Sequence, residues 1–133
     1  SKWPTVKHFT SWLCLCPNNK VTGGKIIQRG VQPTKNRASI ALRIAAASLK
    51  NSNSSLGVFY SRLRARSGTP VAVTATAHKL ARIIYFMLRK RVPYQDCGVE
   101  YYEQQYRVRV LRNLNRQATR LGFRLEPALL EVS

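Results

Sequence analysis

Residues 70–91 read PVAVTATAHKLARIIYFMLRKR, the longest stretch of the chain in which apolar residues recur at helical spacing. A proline at the first helical position, directly after Ser67-Gly68-Thr69, is typical of a helix start. We therefore predict a long helix over 70–91. The residues that share its apolar stripe, and that we expect to face the core, are Val73, Ala77, Leu80, Ile84 and Met87 or Leu88.

Helical periodicity on both sides of this stretch predicts further helices over 4–15, 34–50, 55–66 and 99–121. Pro4 suits the first turn of the 4–15 helix. Thr34 is the expected cap of the 34–50 helix, and Gly122 is the expected end of the 99–121 helix. The predicted inward faces are Ala38, Ala41, Leu42, Ala45, Ala46 and Leu49 for 34–50, and Leu56, Phe59, Tyr60 and Leu63 for 55–66. Residues 16–33 contain three glycines and two prolines, which predict a loop with room for a short extended piece at 25–29. The expected fold class is therefore all-α, a single domain of four to five helices with a Gly-rich loop after the first.

Charge is distributed very unevenly along the chain. Residues 1–95 contain 17 lysines and arginines and no acidic residue, and the net charge of the whole chain is +18. Ordinary solubility needs a net charge of only about 2–8 on a small domain. An excess of this size predicts a polyanionic partner, above all the phosphates of nucleic acid.

The composition limits the other classes of function. The three cysteines lack the spacing of a zinc site and predict reduced thiols in a cytoplasmic setting. All five acids lie after residue 95, so we expect no metal site in this chain. No run of about 18 apolar residues is present, so we expect no membrane-spanning helix.

Candidate phosphate contacts lie in the Gly-rich segment, at the start of the second helix, on the 70–91 helix and on the last helix. The segment Thr22-Gly23-Gly24-Lys25 places a hydroxyl and a lysine beside two glycines whose amides allow a phosphate to approach closely, although a surface turn has the same pattern. On the 70–91 helix, Thr74, His78, Arg82, Tyr85 and Arg89 lie opposite the apolar stripe. The predicted nucleic-acid-binding residues are Lys20, Gly23, Gly24, Lys25, Arg29, Lys35, Arg37, Arg43, His78, Lys79, Arg82 and Arg89. A row of arginines on the last helix shares its region with the acids, so intramolecular pairing is an alternative there.

Eight short motifs appear in a characteristic order. They are 7–13 (KHFTSWL), 16–20 (CPNNK), 22–25 (TGGK), 35–38 (KNRA), 41–43 (ALR), 57–60 (GVFY), 75–82 (ATAHKLAR) and 101–106 (YYEQQY). Together they resemble the C-terminal domain of DEDD-type insertion-sequence transposases related to the Piv DNA invertase, some of which are guided by a bridge RNA. The resemblance covers nearly the whole chain.

The resemblance implies a division of labour between two domains. An N-terminal RNase H-like domain, absent from this chain, would hold Mg²⁺ with four acids. This chain would be the helical C-terminal domain: 1–15 the tail of a helix-hairpin-helix segment, 16–33 the nucleophile loop, 34–122 the helical core and 123–133 a tail. Its partner would be DNA, with a guide RNA as a candidate second partner and a homo-oligomer as a candidate state of the full-length protein. We expect a bacterial or archaeal, nucleoid-associated location, and an isolated chain that neither cuts nor joins DNA.

The resemblance also implies a catalytic residue. Thr22 stands where members of the family have the serine that attacks DNA and forms a phosphoserine link. Threonine has the required hydroxyl, but its β-methyl group restricts the side chain. Ser11 and Ser39 are the nearest alternative nucleophiles, and a decayed element is a further alternative. Outside the resemblance, the competing functions are a non-catalytic basic module that binds nucleic acid and a cationic membrane-surface protein.

Overall fold

The computed structural model describes residues 2–129. Within that range the elements are α1 (Val6–Trp12), β1 (Lys20–Thr22), β2 (Lys25–Gln28), α2 (Arg37–Ser48), a 3-10 turn (Leu49–Asn51), α3 (Ser55–Ser67), α4 (Thr69–Lys90) and α5 (Val99–Arg120). The predicted all-α class is confirmed, with five helices and a small antiparallel hairpin inside the Gly-rich segment. Residues up to Asp96 form one compact unit, and those from Cys97 onward form a second.

The first two helices start later than predicted because polar side chains cap them at other positions. The hydroxyl of Thr5 accepts a hydrogen bond from the amide of His8 at 3.4 Å, so α1 begins after Thr5 and not at Pro4. The side-chain carbonyl of Asn36 accepts one from the amide of Ala38 at 2.9 Å, so α2 begins at Arg37. Thr34, the expected cap, binds the amide of Asn36 instead. Capping satisfies amides that have no partner within the helix, and the residue that does so fixes the boundary.

The buried faces of α2 and α4 match the predicted stripes only in part: Ala46 and Ala77 are buried as predicted, and Leu42, Val73 and Leu80 are partly buried against the core. On α2 the buried residues are Ser39 and Ala46, whereas Ala38, Ala41 and Ala45 are exposed. On α4 the buried residues are Ala72, Thr76, Ala77, Ala81 and Tyr85, whereas Leu88 is 73% exposed. Small side chains let two helix backbones approach closely, and Ala77 and Ala81 of α4 share one buried cluster with Ala46 of α2. The predicted inward face of α3 is confirmed for Leu56 and Tyr60, which are buried, whereas Phe59 and Leu63 are only half-buried.

The core of the first unit forms where α1, α2 and α4 meet. Leu13 and Leu15, at the end of α1 and just after it, are 0% and 1% exposed. They pack with Ala46 of α2 and with Ala77 and Ala81 of α4, and the partly buried side chains Phe9, Leu42, Val73 and Leu80 border this cluster. The left-handed conformation of Cys14, with φ 53°, lies between the two leucines.

The N-terminal segment is fastened to the end of α4. The hydroxyl of Tyr85 donates to the carbonyl of Trp3 at 3.1 Å, and the guanidinium of Arg89 donates to the carbonyl of Pro4 at 3.2 Å. The ring of Phe9 lies 5.8 Å from that of Tyr85, centroid to centroid. Aromatic pairs at this separation attract each other beyond the area they bury.

Asp96, the last residue of the first unit, holds the start of α3. Its carboxylate accepts hydrogen bonds from the amide of Ser55 at 3.3 Å, from the hydroxyl of Ser55, and from the hydroxyl of Tyr94 at 3.1 Å. A carboxylate beside the first amides of a helix is stabilised by the helix dipole. One acid therefore joins the segment after α4 to the beginning of α3.

Helix α5 forms the second unit and ends near the predicted residue. The amide of Phe123 donates to the carbonyl of Ala118 at 2.8 Å, and Gly122 adopts φ 81°. A glycine in the left-handed conformation just after the last turn is a common way for a helix to end. Its arginines at 109, 112, 116 and 120 are exposed.

The close contact at Gly57 gives a test of this packing. A methyl group added at Gly57 would overlap the backbone carbonyl oxygen of Ser52 and lie 3.2 Å from that of Leu49. We expect Gly57→Ala to lower the free energy of unfolding by about 2 kcal/mol or more, because backbone atoms cannot move aside cheaply. In an open helix the same change would stabilise by about 1 kcal/mol. Urea unfolding followed by circular dichroism measures the difference, and Ser61→Ala, on the exposed side of α3, is the control. Stabilisation by Gly57→Ala would contradict this packing.

Candidate nucleic-acid interface

The Gly-rich segment, predicted as a loop with an extended piece at 25–29, contains a hairpin whose second strand, β2, lies at that piece. Val21 pairs with Ile26 and Thr22 with Lys25, and Gly23 and Gly24 form the two-residue turn between the strands. Their φ angles are 56° and 76°. Positive φ at both central residues is the requirement of the type I′ turn, which suits the twist of a hairpin. The turn alone therefore explains why glycines occupy positions 23 and 24, without the predicted approach of a phosphate.

The hairpin carries several of the predicted site residues on exposed positions. Lys20, Thr22, Lys25 and Arg29 are all exposed. Thr22 and Lys25 are directly opposite each other, and side chains of directly opposite residues project from the same face of a two-stranded sheet. The hydroxyl of Thr22 and the ammonium of Lys25 therefore share one face next to the turn.

The base of the hairpin borders a cleft beside α4. Pro17 and Val31 form a bridge there, and the amide of Asn18 donates to the carbonyl of Gly30 at 2.7 Å. The cleft has a volume of about 930 Å³. Residues of three sources line it: Leu15, Pro17, Gly30 and Val31 from the segment after α1, Phe59 from α3, and Pro70, Val71, Thr74, Ala75, His78, Lys79, Arg82, Ile83 and Phe86 from α4.

Three of the predicted binding residues come together in this cleft. His78, Lys79 and Arg82 lie on one side of α4 and all line it. The ammonium of Lys79 lies 4.1 Å from the centre of the Phe59 ring, a cation–π contact that fixes the lysine against α3. Arg82, which also lines the cleft, is exposed. The cleft thus has apolar walls and a cationic strip.

Burial, and then the positive charge of Arg82, lower the pKa of His78 below its ordinary value of 6.5. At neutral pH the imidazole of His78 is therefore uncharged, and it can accept or donate a hydrogen bond without adding to the positive charge. The cationic strip at that pH consists of Lys79 and Arg82.

The remaining predicted residues have different surroundings. Arg89 makes the hydrogen bond to Pro4 described above and a second to the hydroxyl of Tyr85 at 3.1 Å, so it holds the N-terminal segment. Tyr85, predicted on the exposed face, is only 9% exposed. Lys35 and Arg37 are exposed at the start of α2, whereas Arg43 is half-buried.

The two alternative nucleophiles, Ser39 and Ser11, differ in their exposure to solvent. Ser39 is 0% exposed, so its hydroxyl cannot meet DNA in this fold, and the interpretation of Ser39 as a nucleophile is wrong for this conformation. Ser11, on α1, is exposed. Of the two alternative nucleophiles predicted from the sequence, Ser11 is therefore the one that DNA could reach.

Sequence reasoning missed the aromatic and apolar wall of the cleft. Phe86 is 40% exposed and lies four residues after Arg82 on α4, and Phe59 was expected to be wholly inside. The available signal was the apolar residues of 70–91 that fall outside the predicted stripe, Val71, Ile83 and Phe86. A helix that is apolar on more than one face needs a second partner or lines a cavity.

Two further properties of the described residues bear on function. Within residues 2–129, no three His, Cys, Asp or Glu side chains come close enough to hold a metal ion together. Helix α4 is long and apolar enough to cross a membrane by length and composition alone, contrary to the expectation from uninterrupted apolar runs. Lys79 and Arg82 stand near its middle, where a charge is costly in lipid, and α1, α2 and α3 all pack on it.

Comparison with known proteins gives no relative: no protein-family model, no curated protein and no solved structure matches the chain.

The lowered pKa of His78 gives a test by pH. The unfolded chain takes up a proton at this residue near pH 6.5, while the folded protein does so only at lower pH. Because the unfolded state then binds more protons, the free energy of unfolding falls as the pH drops below 6.5. We expect His78→Gln to lose less stability than the parent between about pH 7.5 and about pH 5.5.

Urea unfolding at both pH values measures this difference, with His8→Gln as the control that removes the other histidine. If the acid-dependent loss persists in His78→Gln and disappears in His8→Gln, the environment assigned to His78 is wrong.

Proposed function

We propose that this chain is the DNA-binding domain of a transposase or recombinase and supplies the hydroxyl that becomes linked to DNA. The observation that carries the proposal is an exposed hydroxyl, Thr22, on the same face as Lys25 in a unit with almost no negative charge. The order of motifs that resembles the insertion-sequence transposases supports the same function. Mg²⁺ would belong to the RNase H-like domain that the resemblance implies, and DNA would be the partner.

The charge of the first unit supports binding to a phosphate backbone. Its 17 lysines and arginines before residue 96 face one carboxylate, Asp96, and that carboxylate is already hydrogen-bonded at the start of α3. Lysines and arginines that bind phosphates gain free energy because the counterions condensed on the nucleic acid are released. Binding of this kind is independent of sequence, so a guide RNA, a candidate second partner, would supply the choice of target.

The proposed chemistry is a phosphoryl transfer to Thr22. The hydroxyl oxygen of Thr22 attacks a phosphorus of DNA, and its proton passes to a neighbouring base or to solvent. One bridging P–O bond breaks, so the leaving strand ends in a hydroxyl while the other end is bonded to Thr22. The ammonium of Lys25, on the same face of the hairpin, would stabilise the negative charge that develops on the phosphoryl oxygens.

A non-catalytic basic module that binds nucleic acid is the second candidate. It is favoured by the type I′ turn, because that turn accounts for Gly23 and Gly24 without any chemistry at Thr22. Both candidates require tight binding to DNA, so binding alone does not separate them. A covalent link to DNA does.

Binding to DNA should depend strongly on salt. If about six phosphates are contacted, the logarithm of the association constant should fall against the logarithm of salt concentration with a slope of about −5. Lys25→Gln should reduce the size of that slope by about 1, because it removes one phosphate contact. Thr22→Ala, which removes no charge, is the matched control and should keep the parent slope. Fluorescence anisotropy of labelled duplex DNA measures the slope, and an affinity that does not change with salt would reject the proposal.

Covalent linkage should depend on Thr22. In a protein that joins this chain to a magnesium-binding RNase H-like domain, Thr22→Ala should abolish the DNA adduct and Thr22→Ser should raise it, because serine lacks the β-methyl group that crowds the attack. Denaturing gel electrophoresis with end-labelled DNA detects the adduct. Ser11→Ala is the control and should leave it unchanged. An adduct that survives in Thr22→Ala would move the chemistry to another hydroxyl, and its absence in every variant, the parent included, would favour the binding module.

A further inference from the structure

We infer that the cleft beside α4 binds unpaired nucleotides of a single DNA strand, with bases against its aromatic wall and phosphates on Lys79 and Arg82. This inference rests on the proposed function and adds to it the conformation of the DNA that the chain takes up.

The size and walls of the cleft fit bases that have left a double helix. Its volume of about 930 Å³ is near the upper end of the range of about 300–1,000 Å³ found for pockets that enclose small ligands. Leu15, Val31, Val71 and Ile83 give it apolar walls. In a duplex the faces of the bases are stacked on each other and the phosphates lie outside, so an apolar cleft has nothing to bind there. A single strand exposes the base faces.

The aromatic residues are placed where a stacked base would meet the cationic strip. Lys79, Arg82 and Phe86 follow at spacings of three and four along α4, so they share one face of the helix. Phe86 is 40% exposed, and the ammonium of Lys90 lies 5.7 Å from the centre of its ring. A base on this ring would therefore have cations within reach of the phosphates on either side of it. Stacking on an aromatic ring accepts any base, which agrees with binding without sequence preference.

The lining favours DNA over RNA. Thr74 and His78 are the only uncharged polar side chains among the lining residues in the part of the chain that the structure describes. A ribose placed in the cleft would bury a 2′-hydroxyl with few groups to bind it, and burying a hydroxyl without a partner is costly. Deoxyribose has no such group. The absence of any carboxylate among these same lining residues agrees with an anionic strand and not with a basic peptide.

The test compares labelled oligothymidylate with a duplex of equal length, by fluorescence anisotropy on the whole chain at one moderate salt concentration. Phe86→Ala should weaken binding of the single strand about tenfold and binding of the duplex less than about twofold. Leu88→Ala, two residues further along α4 and outside the cleft, is the matched control and should change neither. Arg82→Gln should weaken single-strand binding more than Arg66→Gln, an exposed arginine outside the cleft. Circular dichroism confirms that each variant is folded.

The outcomes separate this inference from the proposed function. If Phe86→Ala binds the single strand as tightly as the parent, or if oligouridylate binds more tightly than oligothymidylate, the inference is overturned while salt-dependent DNA binding still supports the function. If the parent binds no DNA, both fail.

Photocrosslinking gives a readout that does not depend on any variant. A 5-iododeoxyuridine strand should crosslink to peptides that contain Phe59 or Phe86, and crosslinks confined to α5 would overturn the inference.

Discussion

The close approach of α2 to α4 is the constraint on which the first unit depends. Ala46 on α2 and Ala77 and Ala81 on α4 are all 0% exposed and belong to one buried cluster with Leu13 and Leu15. Because α1, α2 and α3 occupy part of the surface of α4, its remaining side is left to line the cleft. A larger residue at Ala77 would therefore force α2 away and disturb the core and the cleft together, since packed interiors transmit volume changes.

Charge opposes this packing. A unit with 17 cations before residue 96 repels itself when folded, because folding brings the charges closer together. The one carboxylate that the unit contains, Asp96, is used at the start of α3 and not spread over the surface. A polyanion that binds only the folded unit would add to its stability by mass action. Binding of such a polyanion would therefore be linked to folding, because the positive charge that weakens the free unit would favour the complex.

The sequence predicted the bounds of the helices better than it predicted which side of each helix is buried. Helices α3, α4 and α5 begin and end within about one residue of the predicted bounds, because Ser54, Pro70 and Gly122 are strong local signals. The side of α4 that is buried was not predictable from hydrophobicity, since alanines and Thr76 occupy it while Leu88 is exposed. The contact between α2 and α4 determines which side of α4 is buried, and that contact depends on two separate segments of the chain. The cleft escaped prediction for the same reason: its walls come from α3, α4 and the segment after α1.

The hairpin shows how an exposed element can be ordered without belonging to the core. Residues 20–28 are all exposed, yet the type I′ turn and the bridge between Pro17 and Val31 give the strands a defined register. Thr22 touches no part of the core cluster, and changes at Thr22 should leave the helical fold intact. In the proposed function, the reactive hydroxyl of Thr22 would therefore lie outside the residues that stabilise the fold. Helices α3 and α4 form much of the cleft, while the turn fixes the positions of the Thr22 hydroxyl and of Lys25. In the proposed function, a change of the hydroxyl residue at position 22 would need no compensating change in the core.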